Sequence, residues 1–256
     1  MNDRPLRIYV CGRLAVECGE MVWREADLPA RQGRRLWTYL VVHRLRPVSR
    51  DDLAVALWGD DVPDAWDPTL SALVSRIRRT LGPITTGAPG FALRGEPGRY
   101  VLTLPPRAFV DLERARAAIH ETDRLMYGEA FGEALAEARV AMEIAGRGFL
   151  PGEEAPWIEG QRRALVDIRL RAQERTVEAE LGRGRADLAE AEARALVALD
   201  PLREAGYRLL MRALAAGGNT AQATRVFAEC RQALREQAAT VPSAETERLF
   251  REIAGA

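Results

Sequence analysis

The chain has 256 residues, and because it contains no lysine its 37 basic residues are all arginine, balanced by 37 acidic residues to a formal charge of +0. That length accommodates two domains with separate cores. No secretory apolar region and no apolar run of roughly 20 residues occurs, which argues against export and membrane spanning and leaves the cytoplasm as the expected location. The charge is divided unevenly: residues 1–107 hold 16 arginines against 12 acidic residues, and residues 108–256 hold 21 against 25. The sign of that split suits a nucleic-acid module joined to a protein-binding module.

In chain order, RIYVCG and RLAVECG (7–19) alternate like short strands. PARQGRRLWTYLVVH (29–43) follows, with Leu36, Tyr39 and Leu40 at helical spacing. In SRDDLAVALWG (49–59), Ser49 stands three residues before Asp52 as an expected N-cap, and Gly59 marks the helix end. The connection Gly59–Asp67 carries four carboxylates beside Val62 and Trp66. It reads as a solvated link with Trp66 in the core, or as an acidic docking element.

PTLSALVSRIRRTL (68–81) is the most informative stretch. Leu70, Val74, Ile77 and Leu81 stack on one side of a helix, and the opposite side shows Ala72, Ser75, Arg76 and Arg79. Small residues let such a helix approach a surface, while arginine forks match phosphate and the acceptor edge of guanine. An ordinary solvated amphipathic helix is the alternative. FALRGEPGRYVLTL (91–104) then offers two strands around Gly95, Pro97 and Gly98, a hairpin with a longer loop. Strands, three helices and a hairpin compose a winged helix with an N-terminal sheet.

After Pro105 and Pro106 strand signals vanish. Helices are predicted over 109–126, 128–145, 155–182, 185–199, 201–216, 219–238 and 243–254, with Ser243 as the last N-cap. Ala189 and Ala193 correspond to Ala223 and Phe227 at a spacing close to the roughly 34-residue period of tetratricopeptide repeats. Stacked helix pairs of this kind present concave surfaces to proteins or extended ligands.

Catalytic chemistry is not indicated. His43 and His120 are isolated, and Cys11, Cys18 and Cys230 lack metal-ligand spacing. Reduced thiols are expected, with a Cys11–Cys18 redox pair as the alternative. No GxGxxG, Walker A or GxSxG segment occurs, and the aspartates between Asp51 and Asp67 suit caps and solvation better than a metal. No cofactor is expected.

The run 36–82, with ALWG at Ala56–Gly59 and VSRIRRTLG at Val74–Gly82, resembles the DNA-binding domain of the Streptomyces antibiotic regulatory protein (SARP) family of activators. Its winged helix is similar to that of OmpR-type regulators, and the helical half resembles the family's bacterial transcriptional activation domain. The resemblance implies a winged helix over 1–107 and a tetratricopeptide-like helical domain over 108–256. It implies that Ser71, Ala72, Leu73, Ser75, Arg76, Arg78 and Arg79 lie on the recognition helix. Arg34, Arg35, Ser49, Arg50, Arg94 and Arg99 would serve the DNA backbone and wing. Asp60, Asp61, Asp64 and Trp66 would face RNA polymerase, through a sigma factor or alpha subunit. Ser71 and Leu73 depart from the glutamine and histidine common in the family, which shifts expected readout toward arginine–guanine bonds, thymine methyls and DNA shape. The implied partners are promoter direct repeats, bound as a homodimer, in a specialised-metabolite gene cluster. An interaction scaffold or ligand-sensing adaptor, using the helical repeats, is the competing class.

Overall fold

The computed structural model describes residues 5–28 and 30–255, the side chains of residues 85 and 86 excepted, so Pro29 at the head of the first expected helix lies outside the described residues. The chain forms two compact units, one of residues 1–114 and 147–165, the other of 115–146 and 166–256.

The first unit opens on strands β1 (Leu6–Tyr9), β2 (Ala15–Cys18) and β3 (Met21–Arg24). Alternation sets the faces: Leu6 and Ile8 are buried while Arg7 is exposed. Gly19, at φ +61°, begins the two-residue turn that pairs Cys18 with Met21. Against this sheet lies α1 (Ala30–Val42), which buries Leu36, Trp37, Leu40 and Val41. Trp37 meets Trp23 edge to face at 6.0 Å and Phe91 at 6.2 Å.

Helix α2 (Arg50–Trp58) starts and stops where the sequence indicates. The Ser49 hydroxyl accepts from the Asp52 N–H at 2.9 Å, and Gly59 at φ +65° ends the helix. Helix α3 runs Trp66–Gly87, continuing past the expected end at Leu81 and through Pro83. Buried Ile84 offsets the backbone bond that proline cannot donate. Gly87 lies in close packing, since a Cβ there would sit 3.0 Å from Met21 Cε and 3.2 Å from Cys18 Sγ.

The hairpin β5 (Ala92–Glu96) and β6 (Arg99–Thr103) is tighter than its sequence suggests. Pro97–Gly98 alone makes the turn, with Gly98 at φ +72°, the conformation a proline-initiated type II turn demands. A two-residue strand, β4 (Val48–Ser49), adds to β6 and gives the sheet order β4-β6-β5. A further strand lies beyond the two prolines: β7 (Phe109–Val110) pairs parallel with β1, so the N-terminal sheet reads β3-β2-β1-β7.

Among the described residues seven helices follow: α4 (Asp111–Tyr127), α5 (Phe131–Ala145), α6 (Pro156–Gly182), α7 (Ala186–Leu199), α8 (Glu204–Ala216), α9 (Thr220–Ala238) and α10 (Ala244–Ala254). Each matches a predicted segment, with starts displaced by one to three residues. In the second unit Ala189, Ala193 and Ala223 are completely buried, and Tyr207, Leu210, Met211, Leu214, Val226 and Cys230 fill the core between α7, α8 and α9. Small residues at the crossings bring the helices close; a Cβ on Gly206 would meet Leu196 and Val197 at 3.3 Å. Ser243 flanks α10 as expected, but its hydroxyl bonds Glu204 at 2.8 Å rather than capping the helix. Among the described residues no helix is long and apolar enough to cross a membrane. The fold is a winged helix followed by a tetratricopeptide-like helical region.

Candidate nucleic-acid interface

Periodicity divides α3 cleanly. Leu70, Leu73, Val74, Ile77 and Leu81 face the core, leaving Ala72, Ser75, Arg76 and Arg79 exposed in a stripe at steps of three, one and three. Leu73 is 2% exposed, so it holds the helix to the core and cannot touch a base edge, contrary to the recognition role expected of it. The Ser75 hydroxyl is turned back onto Ser71 O at 2.9 Å. Arg76 and Arg79 engage no partner among the described residues, nor does Arg94 on the exposed side of β5.

The other expected contact residues are largely committed within the fold. Arg50 donates to Asp67 Oδ1 at 2.6 Å, to Tyr100 OH at 2.7 Å and to Ser71 Oγ at 2.7 Å, which ties the start of α2 to α3 and β6. Its planar fork spans three elements at once, so it positions α3 rather than gripping a phosphate. Ser71 is correspondingly held. Arg78 is exposed, but its Nε donates to Leu93 O at 2.9 Å. Its Nη2 lies 3.3 Å from where a Gly95 Cβ would stand, so Arg78 links α3 to the wing. Arg99 pairs with Glu96 across the wing tip at 2.6 Å. Ser49 is spent on its cap.

Arg34 and Arg35 correct the sequence reading most sharply. With Arg31 they converge on Glu153, 3% exposed, at 2.9, 2.8 and 2.7 Å respectively. Arg35 also donates to Leu57 O and Glu154 O at 3.2 and 2.7 Å and is itself buried. Burial pushes the Glu153 carboxyl up, but three arginine hydrogen bonds outweigh it and hold the group below its ordinary range. These two arginines are therefore structural cations, not backbone contacts for DNA.

Around Glu153 the segment 147–165 is bound closely to the winged helix. Gly12 N–H donates to Gly148 O at 2.9 Å beside a Cys11–Phe149 bridge. Trp157 Nε1 donates to Ala56 O at 3.0 Å, and its ring meets Tyr39 edge to face at 5.1 Å. The Arg162 fork gathers Phe149 O, Leu150 O and Glu153 O at 2.9, 2.6 and 2.8 Å. Asp111, 1% exposed, accepts from the Val10, Cys11 and Leu112 N–H groups. Burial raises its pKa against those three bonds. No local pattern in the sequence signals these long-range partners.

The link between α2 and α3 is shorter than expected, ending at Ala65, since Trp66 is already the first residue of α3 and is partly exposed. Asp60, Asp61 and Asp64 are exposed with Val62, whereas the fourth carboxylate, Asp67, is occupied by Arg50. Exposed Asp51, Asp52 and Val55 on α2 extend the same acidic and apolar character, a continuation the sequence reading missed. Cys230 lies in the helical core, where burial pushes its thiol up to about 11, so it is not a reactive thiolate. Among the described residues no His, Cys, Asp and Glu cluster is arranged for a metal.

Residues 110–254 match the Bacterial transcriptional activator domain family. The chain is 32% identical over 237 residues to the regulatory protein AfsR of Streptomyces griseus, covering 90% of this chain and 23% of that protein. It is 26% identical to the transcriptional regulatory protein MoaR1 of Mycobacterium tuberculosis, covering 86% of this chain and 71% of MoaR1. The fold is shared with Mycobacterium tuberculosis EmbR, solved in complex with a low-affinity phosphopeptide, at TM-score 0.82 and 22% identity over 98% of this chain and 65% of that one. The chain thus spans less than a quarter of AfsR.

Proposed function

The chain belongs to the SARP family of transcriptional regulators, carrying the bacterial transcriptional activator domain over residues 110–254, and from that premise we propose that it is a sequence-specific DNA-binding activator. The observation that carries this reading is a contrast among arginines. On α3 and the wing Arg78 and Arg99 are engaged by named acceptors, as is Arg50 beside them, whereas Arg76, Arg79 and Arg94 are exposed with none; Arg7, Arg24, Arg46 and Arg107 of the first unit are exposed as well, but they lie off α3 and the wing. Cations held clear of the fold on a small-residue helix face and an adjacent wing suit phosphate and guanine.

In this reading α3 enters the major groove, with Ala72 and Ser75 allowing close approach, Arg76 and Arg79 meeting bases or phosphates, and Arg94 holding the backbone. Two copies occupy promoter direct repeats. The surface of Asp60, Asp61, Asp64 and Val62 meets a basic surface of RNA polymerase, on a sigma factor or alpha subunit. The regulated genes form a specialised-metabolite cluster. A mobility-shift assay on duplexes selected from a random pool tests the reading. Arg76→Ala and Arg79→Ala should each weaken specific binding by roughly 1–3 kcal/mol, and affinity should fall steeply with salt. Arg94→Ala should reduce affinity with sequence preference retained. Unchanged affinity in both helix variants, with the circular dichroism spectrum preserved, refutes the assignment.

A further inference from the structure

Helices α9 and α10 and the turn between them enclose a groove of about 310 Å³ that the DNA reading does not use. Its floor is apolar: Phe227 and Phe250 stack with ring centres 4.1 Å apart, and beside them Val241 is 73% exposed. Both phenylalanines are only partly buried. Arg231 and Arg251 stand exposed on the rim. Arg251 reaches only the Glu247 backbone oxygen, at 3.4 Å, and no ion pair to either arginine exists among the described residues.

We propose that this groove is a docking site for an acidic peptide segment of a partner protein, carrying one aromatic or branched aliphatic anchor. The volume is at the small end for ligand pockets and suits one large side chain with a little flanking backbone. An exposed apolar floor loses water when such a side chain enters, and this favours contact irrespective of charge. The two rim guanidiniums select the flanking residues. They attract carboxylates, steer the encounter and bond bidentately, whereas a basic segment is repelled. Glu247, the one carboxylate among the described lining residues, can accept an N–H from the peptide backbone. The groove therefore reads charge at its rim and shape at its floor, the mode by which helices and short motifs seat in paired-helix grooves.

The test uses the full chain and a fluorescein-labelled peptide, Asp-Glu-Phe-Asp-Asp-Leu, read by fluorescence anisotropy. Saturable binding is expected, weakened at least about tenfold by the double substitution Arg231→Glu/Arg251→Glu and, separately, by Val241→Asp. All three positions are exposed, and an unchanged circular dichroism spectrum is required of each variant before its binding is compared. A peptide with each acid replaced by its amide should lose affinity to a similar degree, and Arg76→Ala should leave peptide binding unaltered, which separates this site from the DNA face. Absence of saturable binding, or equal binding by the charge-reversed chain, overturns the proposal. So does concentration-dependent dimerisation in sedimentation that charge reversal abolishes, because the occupant would then be a second copy of this chain.

Discussion

Replacing Glu153 by glutamine removes one charge from the point where three arginines meet, and the structure gives the expected cost. The Glu153 side chain is 4% exposed, whereas those of Arg35, Arg34 and Arg31 are 11%, 28% and 57% exposed. Arg35 would be left as a buried cation with two carbonyl acceptors, forfeiting a charge-assisted bond worth about 1.5–3 kcal/mol. Arg34 keeps Glu25 at 3.2 Å and is nearer solvent, so its loss is about 0–1 kcal/mol. Arg31 is screened by water and adds nothing to the sum. The total, about 3 kcal/mol, falls at the lower edge of the range for breaking a buried pair. It corresponds to a melting temperature lower by roughly 6–12 °C.

Differential scanning calorimetry at neutral pH checks that figure, and the pH dependence checks its cause. Because the folded chain holds this carboxyl below its ordinary value of 4.5, the stabilisation is present above pH 4.5 and is lost as pH falls through the lower, folded value. The gap between parent and Glu153→Gln should therefore close in acid. Equal melting temperatures at neutral pH, or a gap that persists undiminished in acid, would refute the reasoning.

Leu73→Ala should behave as a core truncation, costing about 2–5 kcal/mol of stability with sequence preference unchanged in the folded fraction, measured by denaturant titration beside a mobility shift. Asp60→Ala/Asp61→Ala should lower transcription in a purified polymerase system while promoter affinity, measured in parallel, stays constant. A fragment of residues 1–107 lacks Asp111, Glu113, Glu153 and Trp157, and it leaves the Val10 and Cys11 amides without their carboxylate. Hydrogen exchange should show those amides unprotected and α1 loosened relative to the full chain; parent-like protection would mean that 1–107 is sufficient for its own core.

Local signals carried the secondary structure. The apolar stripe from Leu70 to Leu81, the Ser49 cap, the Gly59 stop and the seven downstream helices were all legible, since 3.6-residue periodicity and capping depend on neighbours only a few positions away. Leu73 was legible too: it lies three residues from Leu70 and one from Val74, on the buried face. Family resemblance drew it to the wrong side. The exposed stripe of Ala72, Ser75, Arg76 and Arg79 needed no tertiary information.

Which arginines are available was decided only by the fold. Arg34 and Arg35 look in sequence like any exposed helical pair, yet their acceptor lies 119 and 118 residues away, in a Pro-Gly-Glu-Glu segment that reads as a solvated loop. Arg50 is likewise consumed by Asp67, Tyr100 and Ser71, and β7 finds β1 across about a hundred residues. Two-residue strands and long-range ion pairs leave no periodic trace. Their residues take these conformations only because the packed unit brings the partners together and excludes the water that would otherwise satisfy them.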